Sequence, residues 1–162
     1  MEIEGAQAVE VDHALDDFEA ALGRLIEVVE AGGLDGFDGL RLVGFLQRFE
    51  RTRNRMALVD HRAIRVAEEV GLAQTLTQPS LTRALGWALR LSAGEAGRRV
   101  RAAEALGGRV SMTGERLEAR RPALAAAQRE GQVSPEQADI CVRALASVDH
   151  RGFDPADLDL GE

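Results

Sequence analysis

The sequence predicts an all-α protein of about six helices, a long helical hairpin followed by a compact bundle of shorter helices. Three observations carry that reading. Apolar residues recur at alternating spacings of three and four over long stretches, the period of one helix face. Helix-start and helix-stop residues punctuate the chain between those stretches. Alternating runs of branched or aromatic residues, the mark of a strand, are absent. The chain has 162 residues, within the ~100 to 200 residues expected of one domain.

The first helix is expected over residues 11–31, where Leu15, Phe18, Leu22, Leu25 and Val29 form the apolar stripe and Asp12, Asp16, Glu19, Glu27 and Glu30 share a neighbouring face. The stretch AGGLDGFDG that follows is glycine-rich and reads as a loop, with Asp35 or Asp38 available to cap the next helix. The second helix is expected over residues 40–70. At 1.5 Å per residue it would be ~46 Å long, enough to protrude or to pair along its length. Phe45, Phe49, Met56, Ala63, Ala67 and Val70 supply its apolar stripe.

Gly71 and the polar stretch to Ser80 mark the next boundary, with Pro79 suited to a first helical turn. A third helix over residues 81–90 carries Trp87. Ser92 and Glu95 fit a capping box that opens a fourth helix over residues 93–106, ended by Gly107 and Gly108. Residues 109–120 read as irregular. Pro122 opens an alanine-rich helix stopped at Gly131, and Ser134, Pro135 and Gln137 open a last one over residues 135–148. The whole is expected to be a single helical domain over residues 1–150, with the hairpin at 11–70 and the compact part at 80–148. Residues 151–162 then form an acidic tail or linker, the point from which a longer protein would continue.

Charge is unevenly spread. All 20 basic residues are arginine, and the net charge is −7. Residues 1–40 hold 1 Arg against 11 acidic residues, residues 41–130 hold 17 against 9, and residues 131–162 hold 2 against 7. A basic middle between acidic ends permits a local face for a polyanion such as double-stranded DNA, although the ends also suffice to neutralise the middle within the fold. No uncharged apolar run nears the ~18 residues of a membrane span, so no membrane partner is expected. Cys141 is the one cysteine and the N-terminus is acidic rather than signal-like, which together point to the cytoplasm.

The blocks LRLSAGEAGRRVRAAEAL (residues 89–106) and RPALAAAQREGQVSPEQA (residues 121–138), downstream of the long arginine-dotted helix, carry a family resemblance. Residues 81–145 resemble the actinobacterial domain of unknown function 222, also called the thirteen-E-twelve repeat family. That resemblance implies a helical N-terminal domain which, in many members, precedes a C-terminal nuclease of the HNH type. An HNH site needs a histidine pair around an asparagine on a ββα element, whereas Asn54 is the one asparagine here and falls in a predicted helix. No catalysis is therefore expected of this chain.

Candidate nucleic-acid-binding residues come from two places. On the second helix Arg41, Arg48, Arg51, Arg55 and Arg62 lie within an arc of about 80° at 100° per residue, a stripe able to track phosphates, to face the acidic first helix or simply to meet solvent. The third and fourth helices could form a helix-turn-helix in which Arg98 and Arg101 face outward with Arg99 beside them, while Ala96, Val100 and Ala103 face the core; any short-looped helix pair would look similar. Arg53 and Asp60 fall inside the apolar arc and must be paired or at its edge. Trp87 is expected as a core anchor, Cys141 as a small buried hydrophobe, and His13, His61 and His150 as solvent-facing side chains without metal-ligand spacing. No cofactor, metal or small-molecule substrate is implied. The competing reading is an oligomerisation or protein-interaction scaffold, such as a homodimer through the long helices, with no DNA contact.

Overall fold

The structure is a computed structural model that describes residues 2–111 and 113–149. The tail at 151–162 and His150 lie outside the described residues. Seven helices and one two-stranded ladder account for the ordered elements among them. The chain divides into two compact units, Met1–Leu46 and Gln47–Glu162, and the division falls within a helix.

The first unit contains α1 (Glu2–Glu30) and the start of α2 (Gly39–Glu69). α1 begins well before the expected position 11, because nothing in EIEGAQAVE breaks a helix once the apolar stripe has nucleated it. Its stripe is largely open to solvent, with Leu15 at 53% exposure. The turn at 31–38 is tight: Gly32 has φ +86°, and a Cβ on Gly33 would lie 2.6 Å from the Val28 carbonyl oxygen. Of the two candidate caps, Asp38 is the one used, its Oδ1 accepting from the Arg41 amide at 2.8 Å. Phe37 and Phe45 meet edge to face at 6.3 Å, and the Arg41 guanidinium lies over the Phe37 ring at 4.2 Å.

The second unit is built around α5. It holds the rest of α2, then α3 (Leu72–Thr75), α4 (Leu81–Leu89), α5 (Ala93–Leu106), β1 (Arg109–Val110), β2 (Arg116–Leu117), α6 (Pro122–Arg129) and α7 (Pro135–Asp149). Ile64, Leu85, Ala96 and Ala103 form one buried cluster, and Ala105, Leu106 and Ala138 form another. Both clusters draw on α5, whose alanines let neighbouring helices come close on two sides.

Several expectations are corrected. Pro79 stands before α4 rather than inside its first turn; Ser80 is the cap, accepting from the Arg83 amide at 3.3 Å. The stretch after Gly71 holds the short helix α3, and residues 109–120 hold an antiparallel ladder pairing Arg109 with Leu117 and Val110 with Arg116. Trp87 is 67% exposed, because Leu81, Ala84 and Leu85 occupy the core face of α4 and the tryptophan projects away from them. Cys141 is also exposed: Ala138 and Val142, one turn apart, take the core side of α7. The inner face of α2 is not the expected stripe. Asn54, His61 and Ile64 are its buried residues, while Met56, Ala63 and Val70 are exposed.

Candidate functional site

α5 opens with half of a capping box. Ser92 Oγ accepts from the Glu95 amide at 3.1 Å, but the Glu95 carboxylate does not return to Ser92. Arg98 takes it with two bonds, Nε to Oε2 at 2.7 Å and Nη2 to Oε1 at 2.6 Å, and Arg99 Nε adds a third at 2.8 Å. Charged partners one turn away outcompete a neutral amide for a carboxylate. At α7, where no arginine competes, the reciprocal box is complete: the Gln137 amide donates to Ser134 Oγ at 3.1 Å and the Ser134 amide to Gln137 Oε1 at 2.9 Å.

Arg98 and Arg99 are therefore half-buried within the unit, whereas Arg101 is exposed as expected and pairs from the surface. Arg98 Nη1 donates to the Pro135 carbonyl at 3.2 Å on α7, Arg99 pairs with Asp60 of α2 at 3.3 Å, and Arg101 pairs with Asp139 of α7 at 3.2 Å. Asp139 is 7% exposed and also takes Arg143 Nε at 3.0 Å, so its charge is held from two sides. Packing of α5 against both buried clusters leaves Arg98 and Arg99 beside α7 and α2, so the three guanidinium groups are each engaged by a neighbouring carboxylate. The Arg98 hydrogen bonds pull the Glu95 carboxyl down to about 2, against the opposing effect of burial, with Arg99 assisting; Arg98 is raised in turn by Glu95.

A second polar set joins α2 to α6 and to the turn that follows it. His61, expected in solvent, is 5% exposed and its Nε2 lies 3.0 Å from Oε1 of Gln128, which is fully buried. Burial lowers the His61 pKa, opposed by the Asp60 charge and assisted by Arg98. One helical repeat earlier, Asn54 Nδ2 donates to the Gly131 carbonyl at 3.0 Å. Gly131 has φ +75°, and a Cβ there would meet the Arg51 carbonyl oxygen at 2.5 Å. Beside this contact lies an open groove of 610 Å³ lined by Gln47, Glu50, Arg51, Asn54, Ser134 and Gln137 among others. Among the described residues no group of three or more His, Cys, Asp or Glu is placed to hold a metal ion. Nor is any helix among them long and apolar enough to cross a membrane.

The stripe on α2 behaves differently from the arginines of α5. Arg62 pairs with Glu69 at 3.4 Å, and Arg51 lies against Gly131. Arg48 and Arg55 are exposed and reach no carboxylate among the described residues. Arg53 and Asp60, expected to be paired or at the edge of the apolar arc, are both paired, the first at the surface with Glu50 at 3.2 Å and the second with Arg99. Neither Asn54 nor His61 was expected as a buried contact, although their spacing of seven on the face of Ile64 was the available signal.

The family model described as domain of unknown function (DUF222) matches residues 43–156. The uncharacterized protein Mb1179c of Mycobacterium bovis is 36% identical over 127 residues, covering 78% of this chain and 27% of that protein. The uncharacterized protein Rv1945 of Mycobacterium tuberculosis gives the same identity and coverage. A further Mycobacterium tuberculosis protein, Rv1702cMb1728c, also uncharacterized, is 33% identical over 138 residues, 85% of this chain and 29% of its own length. The chain thus spans less than a third of the length of these relatives. No solved structure matches it.

Proposed function

We infer that this chain, which belongs to the DUF222 family, is a non-catalytic interaction scaffold whose long helices hold other helices through exposed apolar faces. The observation that carries the reading is the outer face of α2. Met56, Val59, Val66 and Val70 are 47%, 74%, 37% and 66% exposed, a continuous apolar strip opposite the face that Asn54, His61 and Ile64 bury. A helix that buries one face and carries an apolar strip on the other suits a position between two neighbours, and solvent is a poor second neighbour. In full-length proteins of this family such a scaffold would join or orient a further domain, the HNH-type nuclease implied by the resemblance being the first candidate.

Duplex-DNA contact is the second reading, and Arg48, Arg51 and Arg55 are the observation in its favour. Arg98, Arg99 and Arg101 do not support it, because a guanidinium already engaged by carboxylates must break those pairs to reach phosphate. The deciding experiment is fluorescence anisotropy of duplex DNA titrated with the chain over a salt series. The scaffold reading expects no more than the weak, non-specific affinity of roughly 10⁻⁴ to 10⁻⁶ M at physiological salt. Tighter, salt-steep binding lost on Arg48→Glu with Arg55→Glu would overturn it.

A further inference from the structure

We propose that the occupant of the outer face of α2 is α1 of a second copy of this chain, lying parallel to α2, so that two chains exchange their first helices. This inference rests on the scaffold reading and names its partner. Both surfaces are present in one chain. α1 shows Leu15, Phe18, Leu22 and Leu25, at 53%, 39%, 36% and 36% exposure, and α2 shows Met56, Val59, Ala63, Val66 and Val70, all exposed. The two helices are well matched in length, 29 and 31 residues.

Charge selects both the partner and its direction. Asp12, Asp16, Glu19, Glu27 and Glu30 are exposed, and none takes a cation among the described residues. At 100° per residue they centre about 115° ahead of the apolar strip of α1, in the sense of increasing residue number. Glu10 and Asp17 fall on the other flank. Arg48, Arg55 and Arg62 recur every seventh residue of α2 and centre about 60° behind its outer strip. On the leading flank of that strip Arg53 and Asp60 are already paired, with Glu50 and Arg99. Helices that pack in parallel bring the leading flank of one beside the trailing flank of the other, whereas antiparallel helices bring like flanks together. With the strip of α1 set against that of α2 in parallel, Asp12, Asp16 and Glu19 come beside Arg55 and Arg62, and antiparallel packing brings no such set together.

The α1 of the same chain cannot supply that arrangement. The turn at 31–38 holds eight residues, a reach of at most about 29 Å, whereas returning to the start of a 29-residue helix requires about 43 Å. An α1 folded back along its own α2 would run antiparallel. A two-fold pair of chains satisfies both strips twice over with the same contact.

The test is light scattering after size exclusion on the whole chain and on two charge reversals, Asp12→Arg with Glu19→Arg on α1 and Arg48→Glu with Arg55→Glu on α2. Wild type is expected near 35 kDa, twice the 17.5 kDa of one chain, with a dissociation constant that rises with added salt. Each reversal alone should weaken association by about tenfold or more. Mixing the two should restore it, because an acidic α1 then meets an arginine-bearing α2 and an arginine-bearing α1 an acidic one. A chain carrying all four substitutions should also dimerise, which guards against loss by misfolding, as does an unchanged helical circular dichroism spectrum. A wild type that is monomeric overturns the exchange while leaving the scaffold reading to the DNA titration. Reversals that lower association without restoration on mixing overturn it in favour of contacts that these flanks do not set. Reversals without effect overturn it too.

Discussion

Burial disfavours a charged imidazole, and His61, 5% exposed with its Nε2 against Gln128 Oε1, is biased towards its neutral form. Because burial lowers its pKa, the unfolded chain binds a proton first, at about 6.5. The contribution is therefore complete above that pH and declines as pH falls below it. The thermal midpoint is expected to drop between pH 7.5 and 5.5, and the drop should shrink in His61→Asn; an equal drop in the variant would show another group responsible. Glu95 acts in a separate window. With its carboxyl drawn down to about 2, its pairing contributes fully above the ordinary carboxylate range of about 4.5 and is lost as pH falls towards 2. In Glu95→Gln the slope of stability against pH should flatten in that lower window alone. Gly131→Ala meets both a left-handed φ and the Arg51 carbonyl, so a loss of about 2 kcal/mol is expected in denaturant unfolding.

Among the elements, α4 ends on a residue unsuited to its place. Arg90 caps the helix at φ 55°, ψ 38°, its amide donating to the Gly86 carbonyl, and it is exposed. Glycine adopts that conformation without a Cβ penalty, so Arg90→Gly should raise stability by about 1 kcal/mol, read as a higher denaturant midpoint at unchanged slope; no gain would mean the arginine makes up the difference through its side chain. The limits of α2, α5, α6 and α7 were legible within a residue or two, because Ser92, Ser134, Pro122 and Gly107 act locally, through their own backbone neighbours. Facing was less legible. The period of α2 displays two strips, one strongly apolar and one containing Asn54 and His61, and hydrophobicity alone favours the first as the buried one. The structure buries the second because the amide and imidazole groups find Gly131 and Gln128, partners more than sixty residues away that no local pattern displays. The same applies to Arg99 and Arg101: on a helical wheel they belong to a basic cluster, and only tertiary placement of Asp60 and Asp139 supplies their partners.

At the scale of the whole molecule, burial and charge are distributed in opposite ways. The second unit concentrates its buried residues on α5, whereas none of the described side chains of α1 is buried and α1 lies in the segment of 11 acidic residues. A helix that buries nothing relies on local propensity, and Gly23 in its middle lowers that propensity further. Hydrogen exchange should accordingly give slow amides at Ala102–Leu106 and fast ones along α1 when the chain is dilute. If α1 lies on the outer strip of α2 in a second copy, its protection is linked to the dimer by mass action and must rise with protein concentration, while that of α5 stays constant. Exchange in α1 that is slow at high dilution would mean that the helix is covered within one chain. Fast exchange at every concentration would mean that its apolar strip has no helix of its own kind to meet.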